Sequence, residues 1–288
     1  MENKNTSLVT NPSLISIITV TYNNYEDLLL TVDSVKNILD SEHIIINGGN
    51  CEKTAKFLHD FPGIFLSEND QGISDAFNKG IKLSNGSAIM FLNSGDILLD
   101  KTYPKRALSI LENNLDIDFV HADEIYNDTH IGSYIKKPLR TKKQNNPSIG
   151  RGMPYRHQTM IIRKTLFKKI GLFNIKLITM DYEWICRWEL TSGIAYYLEG
   201  EPVVQMDGSG VSARKEWKVV WEAIKIVRTH FPKDILTNLS LFKRILFFWG
   251  RELLNLLRLH NLLASFKRWK YKKHLIIVNE ISKNKTKK

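Results

Sequence analysis

Cysteine is scarce in this 288-residue chain. The two present, Cys51 and Cys186, stand far apart and match no metal-ligand spacing. That argues against a disulfide framework and a cysteine-held metal, and leaves thiols suited to a reducing cytoplasm. The opening MENKNTSLVT has no basic stretch leading into an apolar one, and uninterrupted apolar runs of about 18 residues are absent. Neither a signal peptide nor a spanning helix is expected. Missing too are GxGxxG and the GxxxxGK loop followed by Ser or Thr, the usual glycine cradles for phosphate. Acids thin out toward the end: residues 215–288 carry 18 Lys and Arg against 5 Asp and Glu, a net +13, while residues 1–214 sum to −2. What is present is ordinary for a globular protein, with 43% hydrophobic and 25% charged residues. One large α/β domain with an appendage fits that length and composition.

Residues 14–20, LISIITV, form a short β-branched apolar run that suits a strand buried on both faces. Leu28, Leu29, Val32, Val35 and Leu39 recur at near-helical spacing. His43–Ile46 read as a second strand ended by Gly48-Gly49, and a helix through Lys53–His59 follows. Gly63–Leu66 make a third strand. Ile73, Ala76, Phe77, Gly80 and Ile81 fall on one helix face, and Ala88–Leu92 return to strand. This alternation predicts a doubly wound, mostly parallel sheet, whose ligands bind beyond the carboxyl ends of the strands.

Four of those ends are polar: Thr21-Tyr22-Asn23-Asn24, Asn47-Gly48-Gly49-Asn50, Glu68-Asn69-Asp70 and Asn93-Ser94-Gly95-Asp96. A single polar tip is an ordinary turn. Four converging on one sheet edge, without a phosphate-cradling loop, point to a nucleotide site that neutralises phosphate in another way. A divalent cation, Mg2+ or Mn2+, held by Asp96 is the candidate, because hard oxygen ligands suit it and one carboxylate plus substrate phosphates suffices.

The runs SIITVTYNNYEDLLLTVDSV, HIIINGGN and SENDQGISDAFNKGIKLSNGSAIMFLNSGD resemble the nucleotide-binding half of the family 2 glycosyltransferases, which have the GT-A fold and invert the anomeric centre. MPYRHQTMIIRKTLFKKIGLFN and MDYEWICRW resemble that family's acceptor half, so the likeness spans roughly residues 14–212. It implies a catalytic domain over 1–214, with a nucleotide half at about 14–97 and an acceptor half at about 98–214. By the same resemblance, Asp96 matches the last acid of the metal-binding Asp-x-Asp element, and Ser94 stands where its first Asp would be. Thr21 and Tyr22 surround the base, and Asn47 replaces the Asp that accepts the uracil N3–H. Asp70, Asn78 and Asn93 join the nucleotide-sugar site. Asp181 matches the catalytic base, with Met180 in place of the usual preceding acid and Glu183 as the weaker alternative. His157 and Gln158 resemble an acceptor-side motif. Read from the residues alone, Asp181 is also a favourable first-turn acid and His157 a structural histidine.

The implied activity is transfer of a sugar, UDP-linked, to a hydroxyl of a saccharide or lipid-linked saccharide in surface-polysaccharide assembly. A nucleotidyltransferase and a catalytically inactive sugar-nucleotide binder are the rival readings. The C-terminal helical extension, residues 215–288, mixes Trp, Leu and cations at helical spacing. It reads as amphipathic helices at an anionic membrane surface, placing the protein on the inner face of the cell membrane. Helices packed on the catalytic domain or a partner compete with that reading. No nucleic acid is expected, because no binding motif accompanies the charge.

Overall fold

The computed structural model describes residues 11–129, 131–139, 148–208 and 215–285. Its first half runs β1 (Asn11–Thr21), α1 (Tyr25–Val35), β2 (Ser41–Asn47), α2 (Glu52–His59), β3 (Ile64–Ser67), α3 (Ile73–Leu83) and β4 (Gly86–Asn93). The expected alternation is therefore present, with β1 three residues longer at its start. Then follow β5 (Ile97–Leu98), α4 (Tyr103–Asn113), β6 (Ile117–His121), β7 (Glu124–Asp128), β8 (Gly132–Lys136) and a single turn, α5 (Ser148–Arg151). After a 3-10 turn at His157–Thr159 come β9 (Ile161–Arg163), α6 (Lys164–Ile170), α7 (Met180–Glu189), β10 (Ile194–Tyr197) and β11 (Val204–Asp207). Three helices close the chain: α8 (Glu216–His230), α9 (Ile235–Leu256) and α10 (His260–Lys285).

Seven strands form the main sheet in the order β10-β6-β9-β4-β1-β2-β3. All neighbours are parallel except β9, which runs antiparallel between β4 and β6. A smaller sheet orders β5-β11-β7-β8. Alternate side chains of one strand enter opposite cores, which is why β1 reads as continuously apolar. Ile18 and Val20 meet α3 through Ala76, Phe77 and Ile81, whereas Ile15 and Ile17 share a core with Ala107, Leu108 and Leu111 of α4.

The basic extension is not set apart from this core. Ala223, Ile226 and Val227 of α8 and Leu241 of α9 are buried in the same cluster as Phe91 and Trp184. A Cβ at Gly150 in α5 would collide with Ser240 Oγ and the Thr237 carbonyl of α9, so the two helices touch backbone to backbone. α10 lies on β8, where Tyr271 stacks on Tyr134 with ring centres 4.1 Å apart and Lys267 meets Asp128 at 2.9 Å. Truncation at residue 238 would therefore take Leu241 out of the core, rather than detach a free tail. Residues 209–214, at the boundary drawn from charge, lie outside the described residues, as do residues 1–10.

Candidate active site

Parallel pairing sets the strand ends level. Thr21 is opposite Asn47, Asn47 is opposite Ser67, and Val20 is opposite Asn93. The four polar tips therefore share one edge. At the first, the Thr21 hydroxyl donates to Asn24 Oδ1 at 2.7 Å and the Tyr22 N–H donates to the same oxygen at 3.1 Å. That turn leaves the Tyr22 ring 68% exposed, a free aromatic face at the sheet edge. Asp70 accepts the Gly72 N–H at 2.8 Å and lies against Gly48, where any side chain would displace it. Ser94 Oγ reaches the Asn24 carbonyl at 3.4 Å, joining the fourth tip to the first.

Two residues expected to touch the nucleotide are built into the frame. The Asn47 amide donates to the Gly49 carbonyl (3.1 Å) and Ser67 Oγ (2.9 Å), and its oxygen accepts the Gly49 N–H (3.1 Å). It is buried and shapes the second tip. Asn78 is corrected further: it sits in the second turn of α3, exchanging hydrogen bonds with both the carbonyl (2.9 Å) and the N–H (3.0 Å) of Phe173. Buried and paired in this way, the side chain fastens α3 to the segment before α7 and is turned away from the strand tips.

Asp96 also departs from expectation. Gly95, at φ +101°, turns the chain so that the Asp96 carboxylate points inward. It is 1% exposed, one oxygen accepting the Asn93 N–H at 2.8 Å and the other the Asp207 N–H at 3.2 Å. Burial pushes its pKa up to about 7 against those two bonds, with the neighbouring Glu124 adding to the rise. Glu124 is itself buried and raised, eased by Lys136 at 3.8 Å and Arg156 at 3.9 Å. This donor set latches the fourth tip to β11 and does not fit an open cation ligand. Among the described residues no group of three or more His, Cys, Asp or Glu is arranged to hold a metal.

The residues expected on the acceptor side lie on the elements beside this edge. Ser74, in the first turn of α3, donates to the Leu177 carbonyl at 2.6 Å, which brings the approach to α7 against the end of the third tip. Asp181 is half-buried in the first turn of α7, with Oδ1 accepting the Tyr182 N–H at 2.8 Å. His157 stacks on Phe91 with ring centres 5.4 Å apart, two residues before the end of β4. Burial lowers its pKa, the Asp181 charge opposing, so the ring is neutral near pH 7. Its Nε2 is buried without a hydrogen-bond partner. Gln158 is buried in the same turn. Glu183 is corrected as the alternative base, because Arg187 (3.0 Å) and His230 (3.3 Å) both hold its carboxylate.

Sequence reasoning missed three groups. Glu222 of α8 accepts the N–H groups of Ile178 (3.0 Å) and Thr179 (2.9 Å) and the Thr179 hydroxyl (2.8 Å), capping the turn that carries Asp181. Nothing local in the sequence announces a partner 43 residues away. Asp207 stands beside Gly95 and shares its N–H with Asp96. Asp123-Glu124, one residue after the strand IDFVH, form a further polar strand end.

Residues 16–171, more than half of the chain, match the family described as Glycosyl transferase family 2. The chain belongs to that family. An uncharacterized glycosyltransferase of Haemophilus influenzae is 25% identical over 222 residues, covering 73% of this chain and 86% of that protein. A PGL/p-HBAD biosynthesis glycosyltransferase of Mycobacterium bovis is 25% identical over 187 residues, covering 61% and 67%. Among solved structures, S. aureus TarS in complex with UDP-GlcNAc has a TM-score of 0.59 at 15% identity, over 81% of this chain and 71% of that one. The mannosyltransferase PcManGT from Pyrobaculum calidifontis in complex with GDP-Man and Mn2+ has a TM-score of 0.57 at 13% identity, over 93% and 87%. The family assignment makes this chain a glycosyltransferase, and the structural likeness gives it the GT-A fold with a helical C-terminal region. Among the described residues no helix is long and apolar enough to cross a membrane.

Proposed function

We propose that this enzyme moves a sugar, with inversion, from a UDP-linked donor at the four strand tips to a hydroxyl of a saccharide acceptor, with Asp181 as the base. The observation that carries the reading is the shared edge: level strand ends, with the Asp181 turn drawn against α3 by Ser74. The TarS and PcManGT structures hold their nucleotide sugars on the same fold, which supports a donor there. The exposed Tyr22 face suits a base, while Asp70 and Ser94 remain at the edge for polar contacts. Asp181 keeps Oδ2 for the acceptor proton while Oδ1 is fixed by Tyr182. A carboxylate so placed takes the proton as the hydroxyl attacks the anomeric carbon. Neutral His157 stacks on Phe91 behind this edge, with its Nε2 buried out of direct reach of an acceptor. A lipid-linked glycan is the proposed acceptor, met at the inner face of the cell membrane. Mn2+ or Mg2+ enters this reading as the counter-ion of the diphosphate, with no protein step assigned to it.

The test is product analysis with UDP-sugars and GDP-mannose, with and without Mn2+. Release of nucleoside diphosphate together with a glycosylated acceptor is expected. Pyrophosphate release would establish a nucleotidyltransferase, and donor binding without turnover would establish an inactive binder.

A further inference from the structure

Helix α9 is packed inside out. It meets the protein through Thr237, Ser240, Arg244 and Arg251 as well as Leu241 and Phe248. Outward it presents Leu239, Phe242, Leu246, Trp249, Leu253 and Leu256, each between 48% and 80% exposed. Steps of three and four residues place these six on one stripe of the helix. Trp217 and Trp221 of α8 widen the stripe, Trp217 meeting Trp249 at 5.1 Å. A soluble surface helix has the opposite arrangement, and a continuous apolar stripe this long marks a docking surface.

Charge decides the occupant. Of the acids near this surface, Glu216 and Glu252 are held by Arg251, Glu222 caps α7 and Asp234 caps α9 through Thr237. The cations Lys233 just before α9, Lys243 on it and Arg258 just after it are exposed. A second copy would set this basic surface against itself, because a twofold contact pairs the same patch on both chains. An anionic bilayer complements both features. Leu and Phe enter the acyl boundary, Trp sits at the headgroups, and Lys and Arg meet lipid phosphate. We infer that α9, lying flat with the tryptophans of α8, is the face by which this enzyme binds anionic lipid bilayers. This deepens the membrane-side acceptor proposed above, but its readout needs neither donor nor acceptor.

The experiment is vesicle co-sedimentation of the full chain, with phosphatidylglycerol-containing and pure phosphatidylcholine vesicles. Binding is expected to the anionic vesicles, weakening roughly fivefold for each cation neutralised, as in Lys243→Gln. Phe242→Ser with Leu246→Ser should abolish the binding that persists at high salt, while the melting temperature and UDP binding stay unchanged, since both side chains face outward. Failure of the full chain to bind either vesicle overturns the inference. So does a dimer in sedimentation analysis that the same double substitution dissociates, because the occupant is then a second copy. Loss of glycosyl transfer with vesicle binding intact would count against the proposed acceptor alone.

Discussion

Replacing Glu222 tests whether the basic extension takes part in catalysis. Its carboxylate is 5% exposed and accepts three hydrogen bonds from Ile178 and Thr179, immediately before the helix that begins at Met180 and carries Asp181. Glu222→Ala leaves three donors unpaired inside the protein, which costs about 3 kcal/mol when charged-acceptor bonds are lost. For a chain of this size that lowers the melting temperature by roughly 5–10 °C. The catalytic effect follows from position. Once the cap is lost the turn can drift, and a displacement near 1 Å lowers kcat on the order of a hundredfold. The proposed donor site lies on the strand tips and should keep its affinity. Glu222→Gln retains an accepting oxygen but turns an NH2 toward backbone donors, so its effects should fall between wild type and alanine. Differential scanning calorimetry, UDP titration and single-turnover transfer measure the three quantities. Unchanged melting and unchanged kcat in Glu222→Ala would refute the coupling. Equal losses of donor affinity and kcat would show general loosening instead of a positioning role.

Further outcomes follow from the same geometry. Asp181→Asn should bind donor normally yet lose transfer by about 10²–10⁴-fold, as a base acting in the transition state requires; near-normal turnover would reassign the base. Asp96 should make stability depend on pH. Between the ordinary carboxylate value and about 7 the folded chain keeps a proton that the unfolded chain has shed, so this contribution falls as pH rises through that window, by up to about 4 kcal/mol. Urea denaturation of Asp96→Asn across pH 4–8 should show that slope removed, and parallel curves for variant and wild type would contradict the buried latch. Gly150→Ala forces a methyl against Ser240 and the Thr237 carbonyl. It should destabilise by about 2 kcal/mol, and an unaltered melting curve would mean that α9 does not rest on α5.

The alternation from β1 to β4 was legible because its signals are local. Runs of β-branched residues, helical spacing in Ile73–Ile81 and polar residues at four strand ends each need fewer than about 12 neighbours to be recognised. Positions were therefore readable, but side-chain directions were not. Asn47, Asn78 and Asp96 all stand where an edge or helix was expected, and all three turn to saturate buried backbone. A polar side chain is drawn to the nearest unpaired N–H or carbonyl, and that partner is set by tertiary contact. The same holds for Glu183 and Glu222, whose partners come from α8 or go to the α7 turn. Charge pattern marked residues 215–288 as basic and amphipathic, but not that α8 belongs to the core. The apolar stripe of α9 was visible in the periodicity. Its outward direction was not, since a helical wheel does not say which face meets protein.

The antiparallel strand β9 has a consequence for how the chain is made. It fills the gap between β4 and β6 through Ile161 and Ile162, some seventy residues after β4 ends. Until a ribosome has delivered that segment, β4 presents a bare edge of Ala88, Ile89 and Met90, buried in the finished protein. Parallel strands joined by helices are slow to assemble, and an uncovered apolar edge invites pairing between nascent chains. The first ninety-seven residues hold all four polar tips, yet released as a fragment they would be expected to aggregate. Folding of the first four strands thus waits on the segment that carries β9.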